Sequence, residues 1–528
     1  MLDFTSQLSF SHLISIISSF CLFSFFLIII AVIINVISQL LPKDPSKPPL
    51  VFHFFPIIGS AIIYGIDPYE FFEKSRKQYG NVFTFVLLNK QITVALGPQG
   101  NSLVLNGKLS EVNAEEAYTH LTTPVFGTDV VYDVPNPILM QQKKFIKSGL
   151  SVENFKRYVG MIVDETVGYL EGHIFESPEQ KSSTKDIFNV ASEITICTAS
   201  ATLQGKEVRS GLNKSFAKLY HDLDGGFTPL NFVFPNLPLP SYKRRDQAQV
   251  LMRNFYLKII EDRQREDREG DSGDMLDALK GQTYKDGTPL TNKAMAHIMI
   301  ALLMAGQHTS AATGSWLLAH LAQRPDLVDE LRNEQIEIFG HGDENDLDPL
   351  DYDRLQSPLM NACIKETLRL HPPIHSIMRK VKSPIVVPPT LAASNEDTPY
   401  IIPPTHYVMA APGVSQLDES IWKEATKFEP KRWLNKSNRP TQEEEEEGEK
   451  IDYGFGEISS GTNSPFLPFG AGRHRCIGEQ FAYLQLATVV LTILRRCDLR
   501  LNGTLPKPDY TTMLVCPRKP RDVTFIRR

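Results

Sequence analysis

Residues 469–482 read FGAGRHRCIGEQFA. Gly470, Gly472, Arg473, His474 and Arg475 crowd in front of one cysteine, Cys476, and a helical pattern begins behind it at Gly478. Positive charge and backbone N–H groups stabilise a thiolate. A helix starting here aims its positive end at the sulfur. Gly470, Gly472 and Gly478 let the backbone come close to something flat. A packed core cysteine needs no basic neighbours. A phosphate loop reads G-x-x-x-x-G-K-[ST], and a dinucleotide fingerprint has glycine where Arg475 stands; neither is met. A nucleophilic thiol needs a base within reach, and His474 lies across the expected bend.

Working upstream, KETLRLHPP places Glu366 and Arg369 one helical turn apart on a shared face. Between this stretch and the cysteine lies FEPKRW, with Phe428, Pro430, Arg432 and Trp433. Further back, AGQHTS runs from Ala305 to Ser310 inside a long uncharged segment. Ala305 and Gly306 keep a helix wall low there. Thr309 can hydrogen-bond the carbonyl four residues back and open a local distortion. His308 is either a packed polar residue or a proton shuttle near neutral pH.

A thiolate ligand to haem iron is the remaining reading of Cys476. The stretch resembles the haem-binding signature F-x-x-G-x-[RH]-x-C-x-G of the cytochrome P-450 superfamily. Phe469, Gly472, His474, Cys476 and Gly478 fill its fixed positions, with Gly470 beside them. The resemblance implies haem b with Cys476 as axial ligand to iron. It implies a buried structural network of Glu366, Arg369 and Arg432 that holds the cysteine loop. Ala305 and Gly306 are then expected to make room for dioxygen, and Thr309 to position water for proton delivery. His308 replaces the usual acid of the pattern.

That replacement, GQHTS, is similar to the sterol (lanosterol) 14α-demethylase family, in a fungal-like form. There the histidine is thought to join a proton relay with a distant acid, and Asp224 in HDLDGGF is the candidate partner. Residues 117–135, AYTHLTTPVFGTDVVYDVP, resemble the family's early substrate-recognition motif. They read as an irregular, aromatic-rich loop flanked by helices, with Tyr118, Thr122, Phe126, Val131 and Tyr132 facing substrate. Phe227, Pro229, Phe232, Ile374, Ser376 and Met513 are further wall candidates. Apolar and aromatic walls suit a large rigid hydrocarbon. Haem carries two propionates; the match assigns Tyr118, Tyr132, Lys143, Arg379 and His474 to them. The implied reaction removes a 14α-methyl group from a sterol in three oxidations, releasing formate, in ergosterol biosynthesis. Electrons are expected from NADPH through a separate flavoprotein reductase, with Lys144, Arg473 and Arg475 as candidate docking residues. The resemblance also implies azole inhibitors bound opposite Cys476. The competing readings are a cytochrome P-450 monooxygenase of fatty acids or foreign compounds and a non-catalytic haem or sterol carrier.

The whole chain sets the context. Its 528 residues carry a formal charge of −6, and six of the acids are the glutamates of TQEEEEEGEK. Nothing is basic enough for nucleic acid. Six scattered cysteines form no C-x-x-C pair, which fits neither a disulfide framework nor a zinc site. Residues 4–42 contain no charge, more than the roughly 20 apolar residues that cross a bilayer. Lys43 and Lys47 follow, which favours a cytoplasmic body and, with the family, a single-pass protein of the endoplasmic reticulum membrane. The sequon at Asn213 would then face the wrong side for glycosylation.

The predicted organisation is a lumenal stub and anchor at 1–41, a proline-rich linker at 42–56 and a catalytic body at 57–528. An acidic surface insertion is expected at about 435–464. The body is expected to be mainly α with a small β portion. A hairpin turning at Asn89–Lys90 is predicted within 81–98, and strands at 383–388 and 400–410. Helices are predicted at 151–175, 251–268, 291–323, 325–339, 357–370 and 478–495. The uncharged helix at 294–323 is read as a buried central helix, not a second membrane span.

Overall fold

The computed structural model describes residues 3–212, 214–265, 273–341, 346–355, 357–391, 399–434 and 461–528. Asn213 and residues 435–460 of the acidic insertion lie outside the described residues, as does the Pro229 side chain. Helices dominate and the strands are short, the mainly α architecture with a small β portion that the sequence predicts. The chain packs as two compact units, residues 1–95 with 381–409 and residues 96–380 with 410–528. Residues 381–409 return to pack in the same unit as the N-terminal hairpin.

In the first unit, the helix Asp3–Leu40 contains one apolar span, Ser15–Leu40, long enough to cross a membrane. The strands Val82–Leu87 and Lys90–Ala95 pair antiparallel. Their turn is Leu88–Asn89, one residue earlier than predicted, with both φ values positive (48° and 66°). That matches the two-residue turns favoured in hairpins. The strand expected at 400–410 is two strands, Tyr400–Ile402 and Tyr407–Ala410. Pro403 and Pro404 break the run because proline cannot donate to a ladder. A buried polar relay, Thr84 Oγ1 to Thr93 Oγ1 (2.8 Å) to His406 Nδ1 (2.8 Å), ties the sheet together.

In the second unit the central helix is Asn292–Ala322, capped by Thr291, whose side chain accepts from Ala294 N at 3.1 Å. From Ala294 on it is surrounded by protein, which explains why that part carries no charge. Gly314 allows close packing: a Cβ there would lie 3.4 Å from Leu486 and 3.9 Å from Ala191. The helix is α throughout, so the distortion expected at Thr309 is not present. The helices Val152–Tyr169, Pro325–Phe339, Pro358–Leu370 and Glu479–Arg496 start within a residue of their predicted positions. The first of them runs on through a π turn, Leu170–Ile174. The helix predicted from 251 instead begins at Pro240 and runs to Arg265. Its early buried face includes Arg245 and Gln249, so the apolar period was hidden.

The segment read as an irregular loop is largely a helix, Glu115–Phe126. Asn113 accepts from Glu116 N at 2.6 Å, and Glu115 and Glu116 suit the positive helix start. Pro124 lies inside this helix, a residue that normally argues against one. The helix ends at Gly127, at φ 101°. Beyond it, Asp133 accepts from Asp129 N (2.7 Å) and Thr123 Oγ1 (3.0 Å), folding the following residues back as a 3₁₀ turn, Val131–Asp133.

Candidate functional site

The cysteine loop closes on itself: Cys476 N donates to Phe469 O at 3.0 Å, and Arg475 N to Gly472 O at 3.1 Å. Phe469 packs on Tyr483, with ring centroids 5.7 Å apart. Gly472 sits at φ 64°, and a Cβ there would stand 2.5 Å from Leu105 O. Its glycine is therefore required by the protein's own backbone. Gly478 caps the helix Glu479–Arg496, and a Cβ there would lie 3.8 Å from Cys476 Sγ. By accessible area Cys476 counts as exposed, yet surrounding protein desolvates the thiol and raises its pKa. The Gly478 N–H and Lys143 pull the pKa the other way.

Behind this loop, Glu366 and Arg369 are fully buried. Arg369 donates to Glu366 through Nε (2.9 Å) and a terminal nitrogen (2.8 Å). Arg432 Nε (3.0 Å), Trp433 Nε1 (2.9 Å) and Glu429 N (3.0 Å) complete the carboxylate's partners. Burial would raise Glu366, but the arginines and the Glu429 N–H outweigh it and hold its pKa below the usual value. Gln416 joins the network to the cysteine loop, donating to Leu368 O (2.9 Å) and accepting from Leu467 N (3.1 Å). Neither Gln416 nor Trp433 stood out as a member of this network in the sequence.

The residues assigned to propionates converge. Tyr118 and Tyr132 stack at 5.4 Å, and Tyr132 lies 6.0 Å from the His474 ring. Burial, and then the nearby Arg379 charge, pull His474 down to about 2, so it stands neutral. Asn136 Nδ2 is 3.3 Å from His474 Nε2, a partner the sequence did not point to. Burial lowers Lys143 to about 8 while its Nζ donates to the Arg473 (3.1 Å) and Arg475 (2.8 Å) carbonyls. Arg379 is buried and has no carboxylate partner among the described residues; it donates to Met378 O at 2.8 Å. A buried guanidinium with no carboxylate partner calls for an anion, and the half-buried Lys143 ammonium adds positive charge beside it. A thiol held uncharged by burial becomes a thiolate when it ligates a metal. This donor set fits a thiolate-ligated haem with its two carboxylates. Arg473 and Arg475, candidates for docking, are engaged: Arg473 donates to Gly107 O (2.8 Å) and Arg475 pairs with Glu479 (2.6 Å). Lys144 is exposed.

From Ala294 to Ala322, only Leu302, Ala305, Gly306, His308 and Thr309 escape burial. Leu302, Ala305, Gly306 and Thr309 share one face, so the helix lines a space there. Thr309 Oγ1 donates to Ala305 O at 2.8 Å. On another face, His308 Nε2 lies 3.1 Å from Asp224 Oδ1 and 2.8 Å from Tyr220 OH. Tyr220 OH donates to Gln307 Oε1 at 2.7 Å.

Among the wall candidates, the Phe126 and Phe227 rings meet at 5.4 Å. Thr122 is buried and donates to Tyr118 O at 3.1 Å. Val131 adopts φ 53°, rare for a β-branched residue. Phe232 packs on His120 at 5.0 Å. Ile374 and Met513 are exposed apolar side chains, and Ser376 is half-buried.

A cytochrome P450 family profile matches residues 48–525. The lanosterol 14-alpha demethylase of Mycosarcoma maydis is 55% identical over 93% of this chain and 90% of its own. The eburicol 14-alpha-demethylase of Uncinula necator is 49% identical over 96% and 95%. The solved structure of retinoic acid bound cyanobacterial CYP120A1 aligns with a TM-score of 0.73, covering 92% of this chain and all of that one, at 19% identity. That likeness is one of fold.

Proposed function

The chain belongs to the cytochrome P450 family, and from that premise we propose that it is a sterol 14α-demethylase of ergosterol biosynthesis. Its substrate is lanosterol or the 24-methylene relative. Three rounds of oxidation take the 14α-methyl to alcohol, to aldehyde and then to released formate, leaving a 14,15 double bond. Each round consumes one dioxygen and two electrons, supplied from NADPH by a separate flavoprotein reductase.

Bound haem b supplies the oxygen activation, with electron donation from the Cys476 sulfur favouring O–O cleavage. Every other task falls to the chain. The Gly478 N–H and Lys143 favour the thiolate at Cys476. Arg379, Lys143 and the Tyr118 and Tyr132 hydroxyls meet the propionates. The low wall at Ala305 and Gly306 leaves room for dioxygen. Asp224, whose side chain is 45% exposed, exchanges protons with solvent and hands them to His308. Thr309 takes them inward. Phe126, Phe227, Thr122, Val131, Ile374 and Met513 would form the sterol wall, and azoles would compete with the sterol for that space. The apolar helix anchors the protein in the endoplasmic reticulum membrane with both units on the cytoplasmic face, and Lys144 contributes to the reductase surface.

The observation that carries this reading is the meeting of His308 with Asp224 and Tyr220 one residue from Thr309. The test is turnover of a 14α-methyl sterol by the full-length protein with a reductase and NADPH. One formate per sterol is expected, together with the red-shifted carbon monoxide band of a thiolate-ligated haem. Oxidation of fatty acids with no formate from sterol overturns the proposal.

A further inference from the structure

The turn that follows the helix Glu115–Phe126 is strained. Gly127, Asp129 and Val131 hold φ values of 101°, 68° and 53° within five residues. Glycine adopts such angles freely, and a β-branched residue least of all. Strained backbone persists where its surroundings over-determine it, often beside a ligand. This turn carries Val131 and Tyr132, two of the side chains read as facing substrate. Whatever holds the turn therefore sets where those two side chains stand.

Gln142 Nε2, from the helix Asn136–Gly149, donates to Asp129 O at 2.8 Å. Lys293 Nζ, from the start of the central helix, donates to Asp129 Oδ2 at 3.0 Å. His297 Nδ1, one turn further along the same helix face, meets Thr128 O at 2.7 Å. A carbonyl only accepts, so Nδ1 carries the proton of the ring. Burial lowers the pKa of the ring, which stays neutral with this single donor. The Lys293–Asp129 pair is 50% and 61% exposed, so it contributes little. His297 is 2% exposed, and a buried hydrogen bond is costly to leave unmade. The ring also lies against Gly127, where a Cβ would stand 2.5 Å from three of its atoms. His297 is thus the buried tie between this turn and the central helix.

We propose that His297 is a positioning residue for the substrate wall. Its bond to the Thr128 carbonyl pins the strained turn to the central helix and fixes where Val131 and Tyr132 stand. It acts through Thr128 and touches no substrate. Gly127 is the other half of the arrangement, because its missing Cβ lets the ring come close enough for Nδ1 to reach. The wall that His297 serves rests on the sterol reading; the tie itself does not.

Two variants separate the bond from the packing. His297→Phe keeps a ring over Gly127 and removes the donor. His297→Asn removes the ring and keeps a donor at the same distance along the side chain. The amides of Gly127 and Asp133 donate to Thr123 O (2.9 Å) and Val130 O (3.0 Å). Their hydrogen exchange in the full-length, sterol-free protein reads whether the turn is closed. His297→Phe is expected to speed that exchange about tenfold, with none gained in the helix Pro358–Leu370. With a 14α-methyl sterol, a reductase and NADPH, the same variant should raise KM about tenfold and leave kcat within about twofold. His297→Asn should keep exchange and KM near wild type, and so should Lys293→Gln. Wild-type exchange in His297→Phe overturns the proposal. Faster exchange in His297→Asn alone makes packing the tie and overturns the bond. Equal acceleration in Pro358–Leu370 makes His297 a plain core residue, and faster exchange with unchanged KM removes it from positioning the wall. If the wild type turns over no 14α-methyl sterol, the sterol reading fails and the exchange result still decides the tie.

Discussion

The Tyr220 hydroxyl gives its proton to Gln307 and leaves its oxygen lone pairs facing His308 Nε2 at 2.8 Å. His308 Nε2–H is therefore shared between Tyr220 and Asp224, and the ring orientation is fixed from two sides. Asp224 was legible as a candidate only through the resemblance, which pairs the histidine of GQHTS with an acid from a distant segment. Tyr220 was not: a tyrosine four residues earlier on an amphipathic helix reads as core. Both side chains lie on the helix Lys214–Asp224, one turn apart. If Tyr220 positions the relay, Tyr220→Phe lowers kcat by about tenfold, below the full 10²–10⁴ of a lost acid–base group. KM should stay within about twofold if sterol binding is untouched, and the solvent isotope effect on kcat should rise. An unchanged kcat would remove Tyr220 from the relay. Asp224→Asn should slow turnover similarly while stability hardly moves, because a pair whose carboxylate is 45% exposed contributes only about 0–1 kcal/mol. A non-catalytic carrier predicts that His308→Ala with Thr309→Ala leaves function intact; abolished turnover with haem and sterol still bound excludes it.

At the scale of elements, the helix Pro358–Leu370 matters for what its last turn locks in place. Glu366 has a depressed folded pKa, so its contribution to stability is complete above its ordinary value of 4.5 and is lost as pH falls through the folded value. Thermal melts from pH 6 downward should drop steeply below about 4.5, and Glu366→Gln should flatten that drop. The same substitution costs about 3–5 kcal/mol at neutral pH, since it strands two buried arginines. A variant with wild-type stability and an unchanged acid slope would contradict the assignment. Glu366 and Arg369 were legible as a pair because their spacing is a helical turn, whereas Arg432 was legible only through the resemblance of FEPKRW to the family's loop. The helix Glu115–Phe126 was not, because Pro124 reads as a breaker. Its end makes a second test. Gly127 sits at φ 101°, and a Cβ there would meet the His297 ring at 2.5 Å. Gly127→Ala should cost about 1–3 kcal/mol in denaturant unfolding. Adding His297→Ala should recover the clash but not the backbone strain, and full additivity of the two changes would refute the contact.

The whole molecule poses a question about its membrane contact that the sequence answered only in part. An uncharged run of nearly forty residues is legible as an anchor, and the prolines after it as a stiff linker. The exposure of the linker's end was not legible, because short apolar runs read equally as core. Phe54 is 60% exposed, and Phe52, Phe55, Ile57 and Ile58 are exposed with it. The short helix Ala61–Ile66 buries none of its residues and turns Ile62, Ile63 and Ile66 outward. Isolated exposed apolar residues are ordinary, but a run of this density marks a contact surface. Such a surface lies in the interface plane of a bilayer without crossing it. Removing residues 1–41 should therefore leave a protein that still pellets with phosphatidylcholine vesicles and is stripped by detergent. Adding Ile62→Asp and Ile63→Asp to that truncation should release it into the supernatant. Because both side chains are exposed, the melting temperature should not move, as surface changes stay within about 0.5 kcal/mol. If truncation alone frees the protein, the apolar helix is the whole anchor and the exposed isoleucines have some other partner.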